Sequence, residues 1–432
     1  MDRTTEELLS FLKEAVTPFH AADRLCRTLE ADGYERLPEN RPWKLITGGR
    51  YYLSRNGSSV LAFSLPEGPF RGFQIAAAHT DSPSFKIKES ADRVSAGYRG
   101  AETEPYGGSI YSTWLDRPLS VGGRVCVRTE EGVETRLVRS EGPLFLIPSV
   151  AIHMNRSCND KASFSAATDL QPLYGLADDE PFSARIAEMA GVPKESVLSR
   201  DLFLFSDGGT VWGAGEQFVS APRLDDLQCV FALFSAFRGA QPKDAVPVFC
   251  AFDNEEVGSR SKQGAASDFL RSALERICES LSLSRNETAA RLADSFLVSA
   301  DNAHAIHPNH PEYADPLNAP VLNGGVVIKF NADQRYTTDA ESCALFRRFC
   351  EQAGVPVQCY ANRSDLPGGS TLGGISSSQV SVRSVDIGLP QLSMHSAYET
   401  AGAKDTDALV RVMQCFFSAS LETSPSGIRI RF

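Results

Sequence analysis

The chain reads as an α/β protein, with a mostly parallel central sheet, helices on both faces, and a β-rich insertion that interrupts it. Three observations predict this. After Trp212, apolar strand-like runs alternate with helical segments to the end of the chain, and such alternation implies a mostly parallel sheet covered on both faces. The run IAAA at 75–78 is apolar at every position, as expected of a strand buried on both sides. Between about 87 and 212 the texture changes to short alternating pieces such as RVCVR (124–128) and TRLVR (135–139). Gly and acidic turns separate them, the pattern of β-rich structure. The organisation is therefore one domain made of 1–88 and 213–432, with 89–212 inserted.

The N-terminal segment predicts two helices. Thr4 or Thr5 can cap the first, which places Leu8, Leu9, Leu12 and Val16 on one face. Pro18 should end it, and the second helix should run from about Ala21 to Gly33. Strands are expected at 59–64 and 74–78. The stretch 153–200 is irregular and polar, with one helix near 181–190. Helices are then expected at 225–239, 262–281, 341–353 and 405–421. The intervening strands are 246–252, 295–300, 326–330, 355–360 and 382–387.

At 432 residues, 42% hydrophobic and 22% charged, the chain can bury a large core. Its net charge is -11 and it has no Lys/Arg block, which argues against nucleic-acid binding. In the first twenty residues acidic side chains interrupt the apolar ones, so they do not read as a signal peptide. No apolar run approaches the ~18 residues of a membrane span. The ten cysteines are scattered without a CxxC pair, which disfavours a thiolate metal site. A cytoplasmic protein is expected.

In an open α/β sheet, sites form where strands end, and five such places carry His, Asp or Glu. AAAHTD places His79 at a strand end with Asp81 two residues on. A ligating imidazole usually has a carboxylate partner; alone, HTD is an ordinary turn. PRLDDL places Asp225 and Asp226 at a helix start, where they serve either as a cap or as a carboxylate shared by two metals. VFCAFDNEEVGS runs an apolar strand into Glu255 and Glu256. Neighbouring side chains of an extended segment point apart, so one Glu can hold a metal while the other faces the attacking water. SADNAHAIHPNH places Asp301 after a strand, followed by His304, His307 and His310. Their spacing is irregular and broken by proline, so packing or hydrogen bonding suits them better than a separate metal site. The fifth is LPQLSMHSAYE, with His395 after Pro390 and Glu399 behind it.

Together, two His, two Asp and one Glu make a suitable nitrogen and oxygen ligand set for paired zinc. Two metals ~3.5–4 Å apart need a shared carboxylate and a shared water. A spare Glu then serves as the base.

These motifs resemble the aspartyl aminopeptidase family of co-catalytic zinc metallopeptidases. SFLKEAVTPFHA, HTDSP, IHMNR, PRLDDL, DNEEVGS, SADNAHAIHPNH, VIKFNADQRY, GGSTLG and MHSAYE occur in family order across nearly the whole chain. The resemblance implies a dizinc exopeptidase fold and removal of single, acidic residues from peptide N-termini. It implies two zinc ions per subunit, with manganese or cobalt admissible at one position. His79 and Asp301 would hold one ion, Glu256 and His395 the other, and Asp225 would bridge them. Glu255 would be the general base and Asp81 would orient His79. His153, in IHMNR, would reach a neighbouring subunit's site and help hold the substrate carbonyl. Lys329, in VIKF, would pair with an acidic substrate side chain. The insertion would build a homodimer, and dimers would assemble into a dodecamer. Two other readings stand beside this one. One is a metal-dependent carboxypeptidase or deacylase. The other is a peptide-binding shell protein without chemistry, for which a missing ligand or base would be expected; none is missing here.

Overall fold

A computed structural model describes residues 2–366, 368–369 and 371–432. Its centre is a nine-stranded sheet in the spatial order Glu35–Arg36, Arg50–Arg55, Ser59–Ser64, Val246–Phe252, Phe73–His79, Phe296–Ala300, Arg383–Gly388, Val326–Phe330 and Val357–Ala361. Five of its eight pairings are parallel, and three are antiparallel. The sheet is thus mixed and mostly parallel. Val246–Phe252, Phe73–His79 and Phe296–Ala300 are buried at every residue, which is why they read as unbroken apolar runs.

Side chains of these strands alternate between two cores. Ala76, Ala78, Phe249, Ala251 and Val298 face one core, which they share with Leu8, Leu25, Val230, Phe346 and Phe416. Ile75, Ala77, Val248, Cys250 and Leu297 face the other, with Leu270 and Ile277. Helices therefore cover both faces. The helices Leu224–Arg238 and Asp405–Ser418 lie together on the first, and Phe269–Ser280 lies on the second.

A six-stranded antiparallel sheet is built from strands lying between residues 84 and 205. It has its own core of Phe85, Trp114, Val125, Phe145, Phe182 and Leu202. A five-stranded sheet carries Phe218–Ala221, Glu399–Gly402, Pro390–Leu392 and Ala303–His304 beside the site described below. No helix of the described residues is long and apolar enough to cross a membrane.

The structure corrects some sequence expectations. The first helix, Arg3–Glu14, is capped by the Asp2 side chain rather than by a threonine. Pro18 does not stop that helix but opens the next one, Pro18–Ala31, behind Thr17 as its cap. Proline is well tolerated there because the first-turn N–H has no helical partner. The helix expected over 262–281 is confined to Phe269–Ser280. Gly264 lies against the main chain of Ser259, closer than a side chain would permit, so 262–268 is held as a folded loop. A separate helix, Arg285–Ala293, follows behind a capping box of Ser284 and Glu287.

Parallel register decides where chemistry can gather. Phe252 pairs with His79 and Ala300 with Ile387. The segments that follow these strands, Thr80–Asp81, Asp253–Glu256 and Asp301, therefore emerge at one end of the sheet.

Candidate metal centre

His79 is the last residue of its strand and is 1% exposed. Its N–H donates to Asp226 Oδ2 at 3.1 Å. Its Nδ1 lies 3.0 Å from the main-chain carbonyl of Asp81 and 3.4 Å from Asp81 Oδ1. A carbonyl can only accept, so Nδ1 carries the proton and Nε2 is the ligating nitrogen. That Nε2 faces Asp225 Oδ1 at 3.5 Å and Asp301 Oδ1 at 3.9 Å.

His395 repeats the arrangement. Its Nδ1 lies 3.0 Å from the carbonyl of Gly108. Its Nε2 lies 3.4 Å from Asp225 Oδ2 and 3.4 Å from Glu256 Oε1. Asp225 therefore turns one oxygen to each histidine. Its backbone is not helical although it stands at a helix start, and its Oδ1 is buried without a hydrogen-bond partner. The cap alternative for this residue is not what its side chain does.

The donor set fits zinc. Bonds of ~2.0–2.2 Å in a tetrahedron leave neighbouring ligand atoms roughly 3.3–3.5 Å apart. The distances of 3.4 and 3.5 Å on either side of Asp225 match that edge. His79 with Asp225, Asp226 and Asp301, and His395 with Asp225 and Glu256, form groups whose ligand atoms all lie within 4.8 Å of one another. His79 forms another such group with Glu255 and Glu256. Asp226, which sequence reasoning did not name among the ligands, lies in the first group, but its Oδ2 is taken by the His79 N–H.

Electrostatics point the same way. Burial, the largest influence, favours a neutral ring at His79, yet the carboxylates around it, Asp226 foremost, hold its pKa well above the ordinary value. Burial also opposes charge on His395, but Asp225 and Glu256 raise it to about 10. Burial and neighbouring carboxylates push Glu255 up to about 7 and raise Glu256 well above its usual range. So many acidic groups in one dry space call for positive charge beyond two imidazoles.

Asp81 does more than face His79. Its carboxylate accepts the main-chain N–H groups of Glu255 and Glu256, each at 3.1 Å. It also accepts the Tyr106 hydroxyl at 2.8 Å. Asn254, in the left-handed region at φ 65, donates to Tyr106 and accepts from Ser261 and Gln263. The two glutamates are thereby aimed by a fixed turn. Tyr106 and Gly108 belong to the antiparallel sheet and the turn after it. Gly107 sits there at φ +71, where an added Cβ would lie 3.1 Å from Glu256 Cβ. Sequence reasoning missed Tyr106 and Gly108, and no local motif marks them. It quoted Glu399 only as a neighbour of His395.

A cleft opens in front of these groups. His79, Asp225, Glu255, Glu256, Asp301 and His395 line it together with Lys329, His304, Tyr336 and Tyr360. Lys329 is 3% exposed. Its Nζ donates to the carbonyl of Asn302 at 2.7 Å and lies 3.5 Å from Asp301 Oδ2. The Tyr336 ring lies 5.4 Å away. It is the one Lys or Arg among the described residues of the lining. His304 stands against Tyr360 between this cleft and a second cavity that contains His307 and His310. His310 pairs with Glu312 and His307 accepts from the Asn309 N–H, and neither is in the ligand groups found among the described residues. In a single chain His153 is not brought to the cleft. It is exposed in a loop whose neighbours Val150, Ile152 and Met154 are exposed at 59, 52 and 83%. The GGSTLG segment leads into a helix at Leu372–Gln379, and Ser370 within it lies outside the described residues.

Comparison with known proteins shows the family. The model of the family described as Aminopeptidase I zinc metalloprotease (M18) matches residues 11–417. The chain is 41% identical over 411 residues to a "Probable M18 family aminopeptidase 2" of Clostridium acetobutylicum, covering 93% of this chain and 95% of that protein. It is 40% identical over 424 residues to the protein of the same name in Pseudomonas aeruginosa, covering 96% and 97%. Among solved structures, a chain of the Ape4 and Nbr1 complex superposes with a TM-score of 0.93 at 36% identity, covering 96% of this chain and 85% of that one. The S. cerevesiae mApe1 dodecamer gives a TM-score of 0.85 at 28% identity, covering 96% of each chain.

Proposed function

The chain belongs to the M18 family of zinc aminopeptidases, and from that membership we propose that it removes N-terminal Asp or Glu from peptides at a centre of two zinc ions. It is a metallo-exopeptidase, and peptides are its substrates. The observation that carries the two-metal reading is the Asp225 carboxylate, with one oxygen towards His79 and the other towards His395. In this reading His79 and Asp301 complete one position, and His395 and Glu256 complete the other.

Metal ions held by these residues would supply Lewis acidity and lower the pKa of the attacking water. Glu255 would take a proton from the attacking water and return one to the leaving amine. Its backbone is held by Asp81, which keeps its carboxylate over the cleft. The substrate's free α-amine is held among the cleft carboxylates, which confines cutting to the first residue.

Lys329 supports the acidic preference, as the cation of the cleft wall. Its charge is already shared with Asp301, so it selects by leaning towards a substrate carboxylate as well as towards its own partner. The test is a panel of dipeptides that differ only in the first residue, run with metal analysis. Asp and Glu peptides should be cut fastest, N-acetylated peptides not at all, and two zinc ions should be found per chain. In Lys329→Ala, kcat/KM on acidic first residues should fall by roughly ten- to a hundredfold more than on neutral ones, the value of one lost charged hydrogen bond of ~1.5–3 kcal/mol. An equal loss on both would remove Lys329 as the selector.

The assembly we propose is a homodimer built through the 89–212 insertion within a catalytic domain of 1–88 and 213–432, with dimers forming a dodecamer. A dodecamer is the form of the related mApe1. The exposed loop around His153 supports a role across a subunit boundary, where the imidazole would donate to the substrate carbonyl as negative charge develops on it. His153→Ala should assemble normally by light scattering yet turn over about 10²-fold more slowly, the usual cost of one such donor. Full turnover in the assembled variant would end this role. Ten cysteines, all free, support the cytoplasm as its place of work.

A further inference from the structure

Glu399 is the first residue of the strand Glu399–Gly402 and is 1% exposed. Its backbone is anchored by pairing with Ala221 at the end of Phe218–Ala221. That neighbouring strand leads within four residues to Asp225, and the turn before Glu399 holds His395. The Glu399 carboxylate points into the gap between these two residues. Oε1 accepts the main-chain N–H of His395 at 2.7 Å, and Oε2 accepts the main-chain N–H of Asp225 at 3.0 Å. No ion pair engages Glu399 among the described residues, so its burial is balanced by these two N–H groups and by the charge of the centre beyond them.

Neither residue it holds has a helical backbone. Asp225 is non-helical at the start of a helix, with φ -82 and ψ 108. His395 is left-handed at φ 66, a region non-glycine residues adopt only under constraint. The direction of each metal-facing side chain follows from its own backbone. A single side chain on a rigid sheet therefore fixes the bridging carboxylate and one histidine relative to each other.

We infer that Glu399 is a positioning residue that sets the registry of the His395–Glu256 metal position against the bridging Asp225. This rests on the two-metal reading above. It predicts an asymmetry, because the His79–Asp301 position has separate supports in Asp226 and the Asp81 carbonyl. Loss of Glu399 should loosen one metal and spare the other.

The experiment uses zinc itself. Wild type and Glu399→Gln are loaded with zinc and challenged with a chromogenic chelator, and the amplitude and rate of release are recorded. The melting temperature of each metal-free protein is measured alongside. Gln keeps the volume but can accept through one atom only, so one N–H loses its partner. One zinc equivalent of the variant should be released about ten- to a hundredfold faster, the usual cost of disturbing a ligand's support. The other should leave at the wild-type rate, and the metal-free melting temperature should fall by no more than the cost of one unpaired N–H. Excess zinc should restore most of kcat, with the zinc-activation curve shifted to higher concentration. Wild-type release of both equivalents would overturn the inference. So would loss of both together with a metal-free melting temperature lowered well beyond that cost, which would mark Glu399 as a general structural residue. Glu399→Asp, which keeps the charge but withdraws the oxygens, carries the same comparison if the Gln variant does not fold. The wild-type zinc count tests the two-metal reading, and the difference between variant and wild type tests Glu399, so the two fail separately.

Discussion

Glu255→Gln should retain its zinc and lose turnover by about 10²–10⁴-fold, the range attributed to a positioned acid–base group. The substitution preserves size and backbone. The N–H of residue 255 still donates to Asp81, and the Asn254 turn still holds the segment. The proposed ligands His79, Asp225, Glu256, Asp301 and His395 are untouched. What disappears is a carboxylate able to exchange a proton in the cleft. Metal analysis and kcat on an acidic dipeptide decide the matter together. Turnover within tenfold of wild type would remove Glu255 as the base. Loss of zinc would make it a ligand instead.

Asp225→Asn should empty both metal positions and lower kcat/KM by about 10³-fold or more, since metal polarisation of a carbonyl contributes several kcal/mol to catalysis. Asp225 is the residue that both halves of the centre share. Asn has the same shape, but it is neutral and offers one oxygen where two are needed. The neighbouring variant Asp226→Asn is the control. Asp226 accepts the His79 N–H through Oδ2, and an amide oxygen can still do that. It should keep both metals and at least a tenth of the activity. Zinc retained by Asp225→Asn, or lost equally from Asp226→Asn, would contradict the assignment of the bridge.

Much of the centre was legible because its residues sit in strong local contexts. His79, Asp253–Glu256 and Asp301 each follow an unbroken apolar run, so a strand end was readable at each. Lys329 lies inside such a run, where an unpaired charge is costly. Burial therefore announced a partner, although nothing local indicated that it would be Asp301 and the Asn302 carbonyl. Asp225 was ambiguous, since a helix cap and a shared metal ligand demand the same residue type. Only its non-helical backbone and its place between two histidines separate the readings. Pro18 misled for a similar reason, because proline both ends one helix and begins another.

By itself the sequence determined which segments are strands buried on both faces, and hence that carboxylates and histidines collect where those strands end. Hydrophobic periodicity is a local property, and it survives without the fold. The tertiary structure alone decided which oxygen meets which nitrogen. Asp81 reaches the backbone of Glu255 and Glu256, Gly108 orients His395 from another sheet, and Glu399 ties Asp225 to His395. These bonds join residues as many as 287 positions apart. Several use main-chain groups that every residue possesses, so no side-chain motif could have marked them.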